Sequence, residues 1–434
     1  MKNVQLIISI IFGILTVLGL LAFAGILPRP ESTTTRLAGR LTMWGTLDRT
    51  DMEKYLQQWL TKNYPDVHVS YTQKNPATYA NGVIEALAAG KGPDLIILPN
   101  ELVVRFADKI EPFTPEIYSE RQLRDTFIQI GEIFVEPGKD ILALPFSVDP
   151  MVMYWNRNIF ASNSIVEPPK YWDEFLALAP TLTKKSEARD ILQSGIAFGE
   201  FSNVTHAKDV LAMLIMQTGN NLVLRQTNGV FLPVFQGKAD KKNPPANEAF
   251  RFYTDFADPL NSVYSWNRSL PDAKDAFLAG DLAVYFGFAS ELAELRRKNP
   301  NLNFDVAVVP QVRDTADKTT FGRVTGLAVL KTSLKKPLAF FVTQVISAPE
   351  YNQHISSVLK TPSPVRAVLA KGTPDPFMKV FYDSAMISKT WFDVRPEKTD
   401  AIFKRAVDSI ISGKETVSGA VGWVQQDFMV LTEI

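Results

Sequence analysis

Strand-like and helix-like runs alternate over residues 41–98, and that order constrains the fold more than any other feature of the chain. Residues 41–44 read as a strand, Met52, Leu56, Trp59 and Leu60 recur at helical spacing across residues 51–63, and residues 67–71 form a second strand. A further helical face of Tyr79, Val83, Ile84 and Leu87 stops at Gly90, and the buried strand Asp94-Leu95-Ile96-Ile97-Leu98 comes next. This β-α-β-α-β order predicts an α/β fold with a mostly parallel sheet and helices on both faces. Ligands of such sheets bind beyond the carboxyl ends of the strands. Trp44 and the Pro99-Asn100-Glu101 segment fall on that edge.

Downstream, residues 141–145 and 151–155 are two more strand-like runs separated by Phe146-Ser147-Val148-Asp149-Pro150, where the chain can leave one domain for another. Helical signals dominate residues 171–183 and 206–219, residues 236–247 read as an exposed loop, residues 272–278 as a helix and 282–286 as a strand. Near the end, Thr399 can cap a helix with the apolar face Ile402, Phe403, Val407, Ile410 and Ile411, stopped by Gly413. No internal repeat is present.

Lysine plus arginine equals aspartate plus glutamate at 46 each, so no net field attracts nucleic acid or anionic lipid. The chain has no cysteine, which removes disulfides, thiolate metal sites, a cysteine nucleophile and a lipid-modified cysteine anchor. His68, His206 and His354 are scattered, with no metal-ligand spacing, and read as ordinary surface or core residues. No G-x-S-x-G elbow, phosphate-cradling G-x-x-x-x-G-K-[ST] loop or H-E-x-x-H motif occurs.

Residues 4–27 are a nearly unbroken apolar run. As a helix rising ~1.5 Å per residue it measures roughly 36 Å, enough to span a hydrocarbon core of about 30 Å with some tilt. An uncleaved transmembrane anchor is the preferred reading, because apolar residues continue through Gly25-Ile26-Leu27. A cleaved signal peptide is the alternative, with Lys2 as its positive start and Ala22-Phe23-Ala24 as a small-x-small cleavage site. Arg29, Arg36 and Arg40 lie just past the run, so charge alone does not orient it. Residues 28–40, rich in proline and hydroxyl groups, read as a tether. The roughly 400 residues beyond the tether are enough for two or three compact units.

Four stretches then carry a family resemblance. They are Ala89-Gly90-Lys91-Gly92-Pro93-Asp94; Leu144-Pro145-Phe146-Ser147-Val148-Asp149 leading to Tyr154-Trp155-Asn156-Arg157; Pro168-Pro169-Lys170-Tyr171-Trp172-Asp173-Glu174-Phe175; and Ala276-Phe277-Leu278-Ala279-Gly280-Asp281-Leu282-Ala283-Val284-Tyr285. In order and spacing the chain resembles the bacterial extracellular solute-binding proteins of family 1, the maltose- and oligosaccharide-binding type that serve ABC importers. The resemblance implies a two-lobed periplasmic-binding-protein-like fold of type II, each lobe discontinuous, with ligand in the cleft. It places residues 41–147 and 322–362 in an N-terminal lobe and 148–321 and 363–434 in a C-terminal lobe. It also implies a monomer on the extracellular or periplasmic side of the cell membrane, a small solute that is carbohydrate in kind, and ABC permease subunits as partners. A solute-binding role would need no cofactor.

Sugar rings lie on aromatic faces and their hydroxyls need polar partners once buried. Trp44, Trp266, Phe288 and Trp391 sit at loop or element ends and are candidate platforms, with core packing as the alternative for each; Trp59 and Trp172, on helix faces, are expected in the core. The resemblance makes Asp149 an acidic ligand contact, against the alternative of a hinge carboxylate held by backbone amides. Asn100 and Glu101 are the remaining polar candidates. They lie in Leu98-Pro99-Asn100-Glu101-Leu102, where the maltose-binding members carry a tryptophan and an Asp-Arg pair, so a different sugar or a non-sugar solute fits as well. Two rivals keep the same residues. Glu101 and Asp149 could flank a glycosidic bond in a glycoside-cleaving enzyme. A tethered ligand sensor is the other; only three residues precede the apolar run, so it would need a separate membrane partner.

Overall fold

The computed structural model describes residues 37–236, 244–315 and 317–432; the expected anchor over residues 4–27 lies outside them. No helix among the described residues is long and apolar enough to cross a membrane. The described residues from Arg40 onward form one compact unit. Within it, one core cluster of buried apolar side chains marks each lobe, and Leu41, Met43, Leu56, Leu95 and Ile97 are buried outside both.

The first core is built on the sequence-legible repeat. Strand β1 (Gly39–Gly45) lies beside β2 (Val67–Gln73) and parallel to β3 (Leu95–Pro99), with the helix Tyr79–Ala88 between β2 and β3 in sequence. Gly39 and Arg40, expected in the tether, already belong to β1. The short β4 (Ile110–Glu111) also joins this sheet. Val83, Ile96, Leu98, Phe106 and Phe134 pack here with Val148 and Val324.

Residues 141–155 are not two strands. A single strand, β5 (Leu144–Asn156), runs through most of the stretch. Its two prolines suggest an interruption, but proline's fixed φ suits extended backbone and its missing N–H matters only where a ladder bond is due. Pro145 faces Gly326 at a register shift, and Pro150 sits where the partner of β5 changes.

The second core uses β6 (Lys184–Lys185), β7 (Ile191–Ile196), the hairpin β8 (Val223–Arg225) and β9 (Phe231–Pro233), β10 (Leu282–Phe288) and β11 (Phe304–Ala307). The long β12 (Thr320–Leu330), paired at its start with β13 (Ser388–Lys389), then returns to the first sheet. The main strand order is β2-β1-β3-β12-β5-β10-β7-β6. Pairs β1/β3 and β10/β7 are parallel, as expected, whereas β5 and β12 run antiparallel to each other and to β3 or β10. The sheet is therefore mixed, because these two strands thread both lobes.

The chain passes between lobes where core membership switches: Val148 packs in the first core and Met151 in the second; Phe321 in the second and Val324 in the first. A third passage follows residue 362: Leu369 packs in the first core, the helix Pro376–Met386 sends Phe381 into the second and Ala385 into the first, and Trp391 packs in the second. Beyond it, the helix Pro396–Ile411 starts before Thr399, with Pro396 at its first turn, so Thr399 is not the cap. Thr399 is buried and donates to Asp393 Oδ1 at 2.8 Å.

An ion pair between Arg225 and Glu136 ties the lobes directly. Arg225 of β8 donates from Nη1 to Glu136 Oε1 at 2.7 Å and from Nη2 to Oε2, while its guanidinium lies 5.3 Å from the Phe231 ring. A bidentate, largely buried pair of this kind is costly to break from one side. Glu136→Ala is expected to lower stability by about 2 kcal/mol, read as a lower urea midpoint; an unchanged midpoint would show the pair to be incidental.

Candidate functional site

At the lobe junction β12 places Arg323 opposite Asp149 of β5. The Arg323 Nη2 donates to Asp209 Oδ2 at 2.6 Å, its Nε lies 3.8 Å from Glu101 Oε1, and its guanidinium stacks 3.9 Å above the Phe288 ring. Glu101 comes directly after β3 of the first lobe; Asp209 and Phe288 belong to the second. One side chain thus holds the two halves of a charged floor together.

Two adjoining cavities share Glu101 and Arg323. The smaller, about 560 Å³, is walled by Phe201, Ser202 and Val204 beyond the end of β7, by His206, Ala207, Lys208 and Asp209 at the start of the helix Ala207–Gln217, and by Asp400 and Lys404. The larger, about 830 Å³, runs from Thr46 beyond β1 and Pro99 at the end of β3 to Val394 and Lys398 at the start of the helix Pro396–Ile411. Both open at the carboxyl ends of parallel strands, where loops and helix starts leave side chains and backbone amides free for a ligand. Together they make a cleft lined from both lobes.

Its polar groups are mutually held. Lys208 Nζ donates to Asp393 Oδ2 at 2.9 Å and to the Pro396 carbonyl at 3.1 Å. Burial pushes the Glu101 and Asp393 carboxyls above their ordinary range, against the pull of Arg323 on the first and Lys208 on the second. Behind the cleft, Glu291 shows the opposite balance. Burial disfavours its charge, yet donors from His206 Nε2 at 2.8 Å, Phe288 N at 2.9 Å, Tyr285 Oη at 2.7 Å and Lys274 Nζ at 2.9 Å hold it down at about 2.

A carboxylate depressed on folding stabilises the native state above its unfolded value, near 4.5, and loses that contribution as pH falls toward about 2. Glu291→Gln is therefore expected to flatten the loss of stability between pH 4.5 and 2, measured as urea midpoints against pH. An acid limb as steep as in the parent would contradict the assignment.

The candidate residues divide sharply. Glu101 lines both cavities. Asp149 accepts from Ser290 N at 2.9 Å and Ser290 Oγ at 2.6 Å, so its carboxylate anchors the lobe junction; burial raises its carboxyl, opposed by Ser290 and Arg323. Asn100 is buried and spent on Val324 N at 3.0 Å and Thr390 Oγ1 at 2.9 Å, holding β3 to β12. Trp44 is half-buried, with Lys74 Nζ 3.5 Å over its ring. Phe288 reaches the cleft only through the arginine stacked on it. Trp266 and Trp391 correct the expectation of cleft platforms: both are packed inside the second core and line neither cavity. A segment between elements can still point inward when the layer above it needs a large apolar filler. Trp172 is in the core as expected, whereas Trp59 is half-buried and stacks on His354.

Arg323, Lys208, Asp209 and His206 are not among the candidates that sequence reasoning selects, although signals for them exist. Arg323 is an isolated charge between glycines in the strand Gly322-Arg323-Val324-Thr325-Gly326, and Lys208-Asp209 open a helix whose next seven residues are buried and mostly apolar.

The family description "Bacterial extracellular solute-binding protein" matches residues 46–351. Among curated proteins, a maltotriose-binding protein of Pyrococcus abyssi is 28% identical over 143 residues, 32% of this chain and 29% of that protein. A putative binding protein of Brucella abortus is 24% identical over 265 residues, 59% of this chain and 58% of that protein. The chain thus spans less than two thirds of each of these relatives. Solved structures align over nearly the full length. The cyclic α-maltosyl-1,6-maltose binding protein from Arthrobacter globiformis gives a TM-score of 0.74 at 15% identity, covering 91% of this chain and 99% of that one. The sugar-binding protein MalE from Xanthomonas citri gives 0.72 at 17%, covering 91% and 97%. These likenesses establish the two-lobed, periplasmic-binding-protein-like fold.

Proposed function

We propose that this chain, which belongs to the bacterial extracellular solute-binding protein family, captures a sugar or oligosaccharide in its interlobe cleft and delivers it to an ABC permease. The observation that carries the reading is the cleft itself: its walls come from both lobes, and they meet on Arg323, at the kind of place where a hinge motion can both admit and enclose a solute. The relatives named for maltotriose and for cyclic maltosyl-maltose make saccharide the first class to test.

In this account Arg323, Glu101, Lys208 and Asp209 form a fixed polar floor, the two helix starts offer further donors, and closure strips water from the bound solute. Closing the lobes on ligand couples occupancy to shape, which is what a permease can read. The apolar run at residues 4–27 is the proposed anchor to the outer face of the membrane, and the protein acts as a monomer.

A thermal-shift screen of the purified full-length chain against mono- and oligosaccharides, amino acids and polyamines tests the reading. A solute at 100 times its Kd adds roughly 2.7 kcal/mol of stability. Saccharide hits recovered chemically unchanged support capture; conversion of the saccharide would replace it with the glycosidase reading, and hits confined to amino acids or polyamines would refute the sugar. Recovery of permease subunits with the membrane-extracted protein tests delivery.

A further inference from the structure

The chain as a whole is electrically balanced, with 46 cationic and 46 anionic side chains, but its cleft is not. The larger cavity presents Arg105, Arg323, Arg395 and Lys398 against only Glu101 and Glu397 among the described residues. Arg323 is committed to Asp209 and Glu101. Arg105 bonds the neutral Asn81 Oδ1 at 2.5 Å, and Arg395 and Lys398 have no carboxylate partner among the described residues. These three are exposed, and water solvates them while the cleft is open. Closure removes that water. Burying cations without counter-charge is strongly unfavourable, and the three cations against the one uncommitted carboxylate, Glu397, leave two positive charges that an anionic solute can balance.

A second observation is independent of charge. A neutral oligosaccharide site offers flat aromatic faces to the rings, yet among the described residues Tyr79 is the only aromatic lining this cavity, and it is buried with its hydroxyl bonded to the Trp44 and Ile97 carbonyls. Trp44 itself carries Lys74 on its ring.

We infer that the solute is an acidic saccharide, its carboxylates held between Arg105 of the first lobe and Arg395 and Lys398 of the second. The inference rests on the reading of the cleft as a saccharide site and narrows its ligand class. Cations spread over both walls fit several carboxylates along a short chain better than one compact anion, and the arginine forks match planar carboxylates two bonds at a time.

The test is calorimetry on the purified full-length chain with α-1,4-linked trigalacturonate, its fully methyl-esterified form, and maltotriose. Trigalacturonate should bind, the ester should bind at least about tenfold more weakly, and added salt should weaken the acid alone. In the Arg395→Gln, Lys398→Gln double variant the acid should lose roughly tenfold or more in affinity, with the thermal midpoint of the unliganded protein unchanged. Equal binding of acid and ester, tight binding of maltotriose with none of the acid, or an unaffected double variant would each overturn the inference while leaving saccharide capture intact. Binding of none of the three would overturn the inference, and the broader screen would then decide the capture reading separately.

Discussion

Arg323→Ala is expected to remove about 2–3 kcal/mol of stability and to weaken solute binding by tenfold or more. The guanidinium is the shared partner of Glu101 and Asp209, and the variant leaves two carboxylates facing each other across the junction. Its side chain is 40% exposed, which keeps the cost below that of a fully buried pair. Arg323→Lys should recover part of the stability, since the charge returns without the fork or the stack on Phe288. Urea midpoints and calorimetry measure the two effects. In a double-mutant cycle with Asp209→Ala the losses should be far from additive; additive losses would mean the contact carries no energy.

Trp266→Ala is expected to cost about 3–5 kcal/mol, the scale of emptying a large aromatic site in a close-packed core. Trp266 is 1% exposed, and its Nε1 has no hydrogen-bond partner among the described residues, so Trp266→Phe gives up volume but no bond and should cost far less. Because the phenylalanine variant keeps the fold, it also separates core from cleft: its solute affinity should equal that of the parent. A loss of affinity at full stability would return Trp266 to the cleft.

The contrast between these two residues shows what the sequence carries. Period and punctuation placed β1, β2, β3 and the helix Tyr79–Ala88 within a few residues, because β1, β2 and the helix each bury one face, β3 is a short apolar run buried on both, and glycine or proline stands near their ends. The same punctuation misled at Pro145 and Pro150, where tertiary pairing runs a continuous strand through both prolines. For the site, the carboxyl-edge rule found Glu101, two residues past the end of a buried strand. It could not separate Trp266 from a cleft platform, since both readings need a large aromatic at an element end and only the packed layers decide. Arg323 lies far from Glu101 and Asp209 in sequence, so their convergence exists only once β12 threads the junction. Asp149 occupies that junction, but as a half-buried carboxylate capped by Ser290, a partner 141 residues away that no local pattern announces.

Closure of two hinged lobes on a saccharide should change the distance between them. The chain has no cysteine, so a donor and an acceptor dye can be placed at Glu85→Cys in the first lobe and Lys414→Cys in the second without competing thiols. Single-molecule energy transfer on this full-length protein should shift from one distance distribution to another as the best-stabilising saccharide of the thermal screen is added, with a midpoint matching its calorimetric Kd. A saturating saccharide that leaves the distribution unmoved would contradict the account.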